Sequence, residues 1–205
     1  MPARRLHPPA VVIGEGEDTF SDFLEAFCEG KDFRKVPGLA LRGEDNNVFY
    51  TEARQQIKDL NTITFPYYAG FENFSFSRYC SHPPLPAPSA AIISSRGCVF
   101  DCSYCASVRF WGSEWRFRSP ENILAEIGLL VEKYGVRSLF FYDDNFPVNK
   151  NRAIAICEGI IKNGWGLKWA CCSHVKMINA ELLDIMKRSG CVAIDFGVES
   201  GDANI

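Results

Sequence analysis

From residue 90 onward, short runs that are apolar throughout alternate with amphipathic helical segments, and this alternation restricts the fold more than any other feature of the chain. The runs cover residues 90–94, 138–142, 167–171 and 192–198. A strand that is apolar at every position has to be covered on both faces, which predicts a parallel sheet with helical crossovers. Right-handed crossovers then bring the carboxyl end of each strand to one edge. The four strands lead in turn into a cysteine-rich loop, Asp143-Asp144, His174 and Glu199-Ser200. All four are therefore expected on one rim, where sites form in barrels and open α/β sheets.

The helices carry their own punctuation. Ser119 can cap, Pro120 suits a first turn and Glu121 favours the positive end of the helix dipole. Ile123, Ile127, Leu130 and Tyr134 form an apolar stripe that ends near Gly135. Residues 151–163, stopped by Gly164, and 179–189, stopped by Gly190, give two more helices.

Upstream, residues 10–13 read as a short strand, Gly14 to Glu17 as a turn, and Phe20, Phe23, Leu24 and Phe27 as the apolar positions of a helix ending at Gly30. Such a unit suits the end of an open α/β domain. Residues 36–43 and 47–51 predict a hairpin. After Pro66 and a run of aromatics, the proline-rich stretch 83–88 reads as a linker. The expected organisation is 1–35, 36–89 and 90–205.

Composition narrows the partners. The 205 residues carry a net charge of −3 with no basic run, so nucleic acid is not an expected partner. No apolar stretch approaches the roughly 18 residues of a membrane helix. Arg4 and Arg5 precede no apolar signal region, and the chain is expected to be cytoplasmic. In a reducing compartment, nine cysteines point to a metal or cluster site wherever they gather.

They gather in Cys98-Val-Phe-Asp-Cys102-Ser-Tyr-Cys105, after Gly97. An iron–sulfur cubane needs several thiolates from one compact loop. Three ligands for four irons leave one iron open, the position at which a substrate can bind a metal. The alternatives are three structural cysteines or a zinc site, which would need a fourth ligand such as Cys80 or His82. Cys171 and Cys172 are adjacent on a strand, so they face opposite ways and are read as core. Trp111, Trp115, Arg116, Phe117 and Arg118 could pack over the loop. His174 is read first as a local hydrogen-bonding residue.

The C-x3-C-x-aromatic-C loop at the end of a first strand, ahead of a βα series, resembles the signature of the radical S-adenosylmethionine (SAM) superfamily. The resemblance implies that Cys98, Cys102 and Cys105 hold a [4Fe–4S] cluster and that SAM binds the fourth iron. Reductive cleavage of SAM would then give methionine and a 5′-deoxyadenosyl radical. It implies Tyr104 beside the adenine, and Asp143 or Asp144 near the amino group of SAM, the two aspartates being undivided at this point. It implies Glu199 and Ser200, in Gly197-Val-Glu-Ser-Gly201, near the ribose hydroxyls or the methionine portion. An unidentified small-molecule substrate and a flavodoxin- or ferredoxin-type electron donor are implied as well.

Asp-Asp-Asn-Phe and the N-terminal strand–Gly–helix unit resemble the cobalamin-associated branch. The implied fold class is α/β, a partial (β/α) barrel preceded by a remnant of a flavodoxin-like cobalamin-binding domain. The Asp-x-His-x-x-Gly pattern of that domain is absent, and His7 does not supply it. Cobalamin is therefore expected of a longer relative and not of this chain. Four strands against the usual six predict a chain short at both ends. A non-catalytic iron–sulfur protein or an inactive fragment is the alternative.

Overall fold

The computed structural model describes residues 10–43, 45–71, 85–112 and 114–202. It divides into two compact units, residues 1–58 and 59–205. His7, Cys80 and His82 lie outside the described residues, as does most of the aromatic and proline-rich stretch.

In the first unit, β1 (Ala10–Val12), β2 (Leu39–Arg42) and β3 (Val48–Tyr50) form an antiparallel sheet in the order β1-β2-β3. The expected hairpin is β2–β3. The flavodoxin-like reading is not reproduced here, because β1 runs antiparallel to β2, with Ala10 opposite Leu41. The expected boundary at residue 35 also falls within a single core. Ala26 of α1 (Glu17–Cys28) packs with Val36, Leu39 and Leu41, and β1 contributes Ala10 and Val12. Apolar spacing located α1 but not its orientation: Phe20, Leu24 and Phe27 face outward.

The second unit holds the parallel sheet. Its strands are β4 (Ser89–Ile92), β7 (Ser138–Phe141), β8 (Lys168–Ser173) and β9 (Cys191–Phe196), hydrogen-bonded in that order. Helices α3 (Pro120–Gly128), α4 (Lys150–Asn163) and α5 (Ala180–Arg188) connect them. Ser119 caps α3 as expected, accepting from the Asn122 amide, and α3 runs on through a π-helical turn, Leu129–Lys133. The helices cover one face, where Ile123, Ile127, Leu139, Phe141, Ile156, Trp169 and Leu182 are sealed from solvent. Burying each such side chain is worth about 1.5–3 kcal/mol. On the other face Phe140 and Ala170 are covered by Leu85. The arrangement is a partial β/α barrel, with its strand ends on one rim.

Candidate active site

The cysteine loop leaves the rim after β4 and is pinned at its base. β5 (Ser95–Arg96) pairs antiparallel with β6 (Arg116–Phe117), and the Arg118 amide donates to the Ser94 carbonyl at 3.0 Å. Gly97 sits against this ladder with φ +84°, and a Cβ there would lie 2.6 Å from the Glu114 carbonyl oxygen. Only glycine fits.

Beyond Gly97, Cys98 and Cys102 are partly buried and Cys105 is exposed. The Cys105 amide donates to the Cys102 carbonyl at 3.0 Å. The Ser107 amide, opening α2 (Ser107–Trp111), donates to the Cys105 sulfur at 3.4 Å. Burial pushes the Cys98 thiol up, and the charges of Asp144, Cys102 and Cys105 add to the effect. Cys98 therefore stands within electrostatic reach of the other three groups. A thiol ligates as thiolate, so a metal held by this loop would displace protons from it.

Among the described residues, no three His, Cys, Asp or Glu side chains are gathered as they would be about a single ion. The donor set nonetheless suits a multi-iron cluster, with three thiols spread along one loop and an amide directed at one sulfur.

The two aspartates part company. Asp143, 1% exposed, accepts from the Ser94 amide and the Ser95 hydroxyl, both at 2.6 Å, and from the Ser94 hydroxyl. Arg152 of α4 donates to the Ser94 carbonyl at 2.6 Å and to its hydroxyl at 2.7 Å. Burial pushes the Asp143 carboxyl up, while Arg152 and the three donors pull it down. Asp143 thus faces the helices and braces the base of the loop. Asp144 is exposed and accepts from the Ser107 hydroxyl at 2.6 Å, beside the cysteines.

Tyr104 is 69% exposed, and its hydroxyl is raised first by desolvation and next by the Glu199 carboxylate. Glu199 has φ +60°, unusual for a residue with a side chain, and its Oε1 lies 2.9 Å from where a Gly197 Cβ would stand. Ser200 donates its amide to Val198 and accepts from the Asp202 amide.

His174 accepts from the Lys176 amide through Nδ1 at 3.1 Å, the local role expected of it. Its ring also stacks on Phe100, with centroids 4.2 Å apart. Cys171 lies in the helix-side core and Cys172 on the opposite face. Trp115 and Phe117 stack at 4.5 Å with the Arg152 guanidinium nearby, and Arg118 pairs with Glu126, so these residues build the base of the loop. Sequence reasoning missed Phe100, Ser107, Asn145 and Arg152. Arg152 carried a signal: it shares the stripe of Ala153, Ile156 and Ile160, a place a charge occupies only when partnered.

No helix among the described residues is long and apolar enough to cross a membrane. The sequence is 33% identical over 196 residues to an uncharacterized methyltransferase of Pyrococcus horikoshii, covering 96% of this chain and 41% of that protein. It is 30% identical over 196 residues to the anaerobic magnesium-protoporphyrin IX monomethyl ester cyclase of Rubrivivax gelatinosus, covering 93% and 34%. The chain thus spans well under half the length of these relatives. Its fold matches the radical SAM methyltransferase TsrM of Kitasatospora setae, solved with tryptophan substrate and a SAM analog, at a TM-score of 0.71. That match has 17% identity and covers 96% of this chain and 38% of the other. The family profile described as "Radical SAM superfamily" matches residues 92–205, from the last residue of β4 through the cysteine loop and the strands that share its rim. By that match, this chain is a member of the radical SAM superfamily.

Proposed function

We propose that this chain carries the cluster- and SAM-binding part of an enzyme that cleaves SAM reductively to begin radical chemistry on a small organic molecule. The observation that carries this reading is three cysteines in one loop at the carboxyl end of β4, the last of them followed by Ser107, whose amide donates to the Cys105 sulfur and whose hydroxyl donates to Asp144 at the end of β7. When bound, a [4Fe–4S] cluster supplies single electrons and an open iron for SAM.

The family resemblance suggests roles for the chain's own residues, and their placement supports them. Cys98, Cys102 and Cys105 are the ligands, and the Ser107 amide steadies the charge on Cys105. Asp144, exposed and held by Ser107, is the carboxylate that faces the ammonium and sulfonium of SAM. Asp143 is assigned to bracing, because its oxygens are already engaged. Tyr104 offers a flat face to adenine, and Glu199 and Ser200 offer acceptors to the ribose hydroxyls. We assign no residue of this chain to cobalamin. Methyl transfer is the favoured outcome, in keeping with the names of the Pyrococcus relative and TsrM, and the cyclase makes ring closure the second reading. A flavodoxin- or ferredoxin-type protein in the cytoplasm would supply electrons.

The test is anaerobic reconstitution with iron and sulfide, then EPR of the reduced protein with and without SAM. A [4Fe–4S]+ signal that changes on adding SAM, and is absent in Cys98→Ala, is expected. A cluster indifferent to SAM would overturn the reading.

A further inference from the structure

We propose that His174 is a positioning residue of the cysteine loop, its imidazole serving as the platform against which Phe100 fixes Cys98 and Cys102. Phe100 lies midway between those two cysteines, and its ring stacks on His174 at 4.2 Å with 29° between the planes. The base of the loop is held by β5 and β6, and its far side by the Ser107–Asp144 bond. The Phe100–His174 stack ties the segment between the first two sulfurs to the end of β8.

The platform is itself built. His174 is fixed at its backbone, where the amide donates to Asn145 Oδ1 at 3.2 Å, and at its ring, where Nδ1 accepts from the Lys176 amide. Asn145 is 1% exposed, and its Nδ2 finds no partner among the described residues. An amide is retained in such a place for its oxygen, which orients His174. The accepting Nδ1 fixes the plane of the ring, which presents its flat face to Phe100. Histidine meets two demands at once, a flat face for Phe100 and an acceptor for the Lys176 amide. Asn145 at the end of β7, His174 at the end of β8 and the loop that leaves β4 are thereby tied together.

This role rests on the reading of the loop as a cluster site, and its test separates the two. Hydrogen exchange of residues 98–105 is measured in the cluster-free full chain for wild type, His174→Ala, His174→Phe and His174→Asn. Cluster content and reduction potential are measured after anaerobic reconstitution. His174→Ala is expected to speed exchange roughly two- to tenfold, the loss of one aromatic pair, and to shift the potential. His174→Phe, which keeps the face, is expected to preserve protection, and His174→Asn, which keeps only an acceptor, to lose it. Unchanged exchange and potential in His174→Ala, or equal protection by Asn and Phe, would overturn the platform. If His174→Ala does not fold, the Phe and Asn variants decide. A wild-type chain that assembles no cluster would count against the cluster reading alone, and the exchange rates would still decide the role of His174.

Discussion

Ser94 gives both its backbone amide and its hydroxyl to the carboxylate of Asp143, joining the end of β4 to the end of β7 directly beneath the cysteine loop. Arg152 closes the arrangement from α4. Removing the carboxylate strands the buried Ser94 and Ser95 donors and leaves the Arg152 charge uncompensated, and hydrogen bonds to a charged group are worth about 1.5–3 kcal/mol each. Asp143→Ala should lower stability by at least about 1.5–3 kcal/mol in urea denaturation. Asp144→Ala, at an exposed position, should change it by no more than about 0.5 kcal/mol while abolishing the EPR response to SAM. The reverse pattern would exchange the roles of the two aspartates.

Gly97→Ala is expected to damage the loop and spare the sheet. The new Cβ would meet the Glu114 carbonyl in a backbone region that costs of order 1–3 kcal/mol for a residue with a side chain. Far-UV circular dichroism should stay near wild type while iron per chain after reconstitution falls sharply.

Tyr68 donates to the buried Glu126 carboxylate at 2.5 Å, and Arg118 pairs with the other carboxylate oxygen. Tyr68→Phe removes a bond to a charged acceptor, worth about 1.5–3 kcal/mol. Chemical denaturation should register that loss in the single variant. In the background Glu126→Gln the same change should cost measurably less.

Alkaline pH should weaken the fold through Cys157. Burial raises its thiol from 9.0 to about 11. As pH climbs past 9 the unfolded chain ionises this thiol while the native chain keeps it protonated, so the unfolded state gains. The stabilisation is complete below pH 9 and is lost by about pH 11, roughly 2–3 kcal/mol in all. Cys157→Ala should show a shallower decline over that window when both proteins are titrated with urea.

Much of the second unit is legible in the chain because its signals are local. Ser119 and Pro120 begin α3 as caps do, Gly164 ends α4 in the left-handed conformation, and uninterrupted apolar runs become strands buried on the helix side. The three cysteines are legible for the same reason. What escapes is whatever depends on a partner far along the chain. Nothing in Ala10–Val12 says that Leu39–Arg42 will meet it antiparallel. Ser95–Arg96 and Arg116–Phe117 are two residues each, too short for a pattern, yet they anchor the loop. Asp143 and Asp144 are chemically identical, and only the direction each takes at the end of β7 separates a brace from an exposed carboxylate.

The β5–β6 ladder also bears on repair. Because both feet of the cysteine loop are tied to each other and to Ser94 by backbone bonds, the loop is a closed excursion whose ends need no metal to stay together. If the three thiols hold the proposed cluster, oxygen damage that strips its iron would slacken the excursion and leave the barrel strands paired. On the proposed reading, reassembly then requires ordering the nineteen residues 97–115 between fixed ends and not refolding a domain, so a chain that loses its cluster remains a competent recipient for the next one.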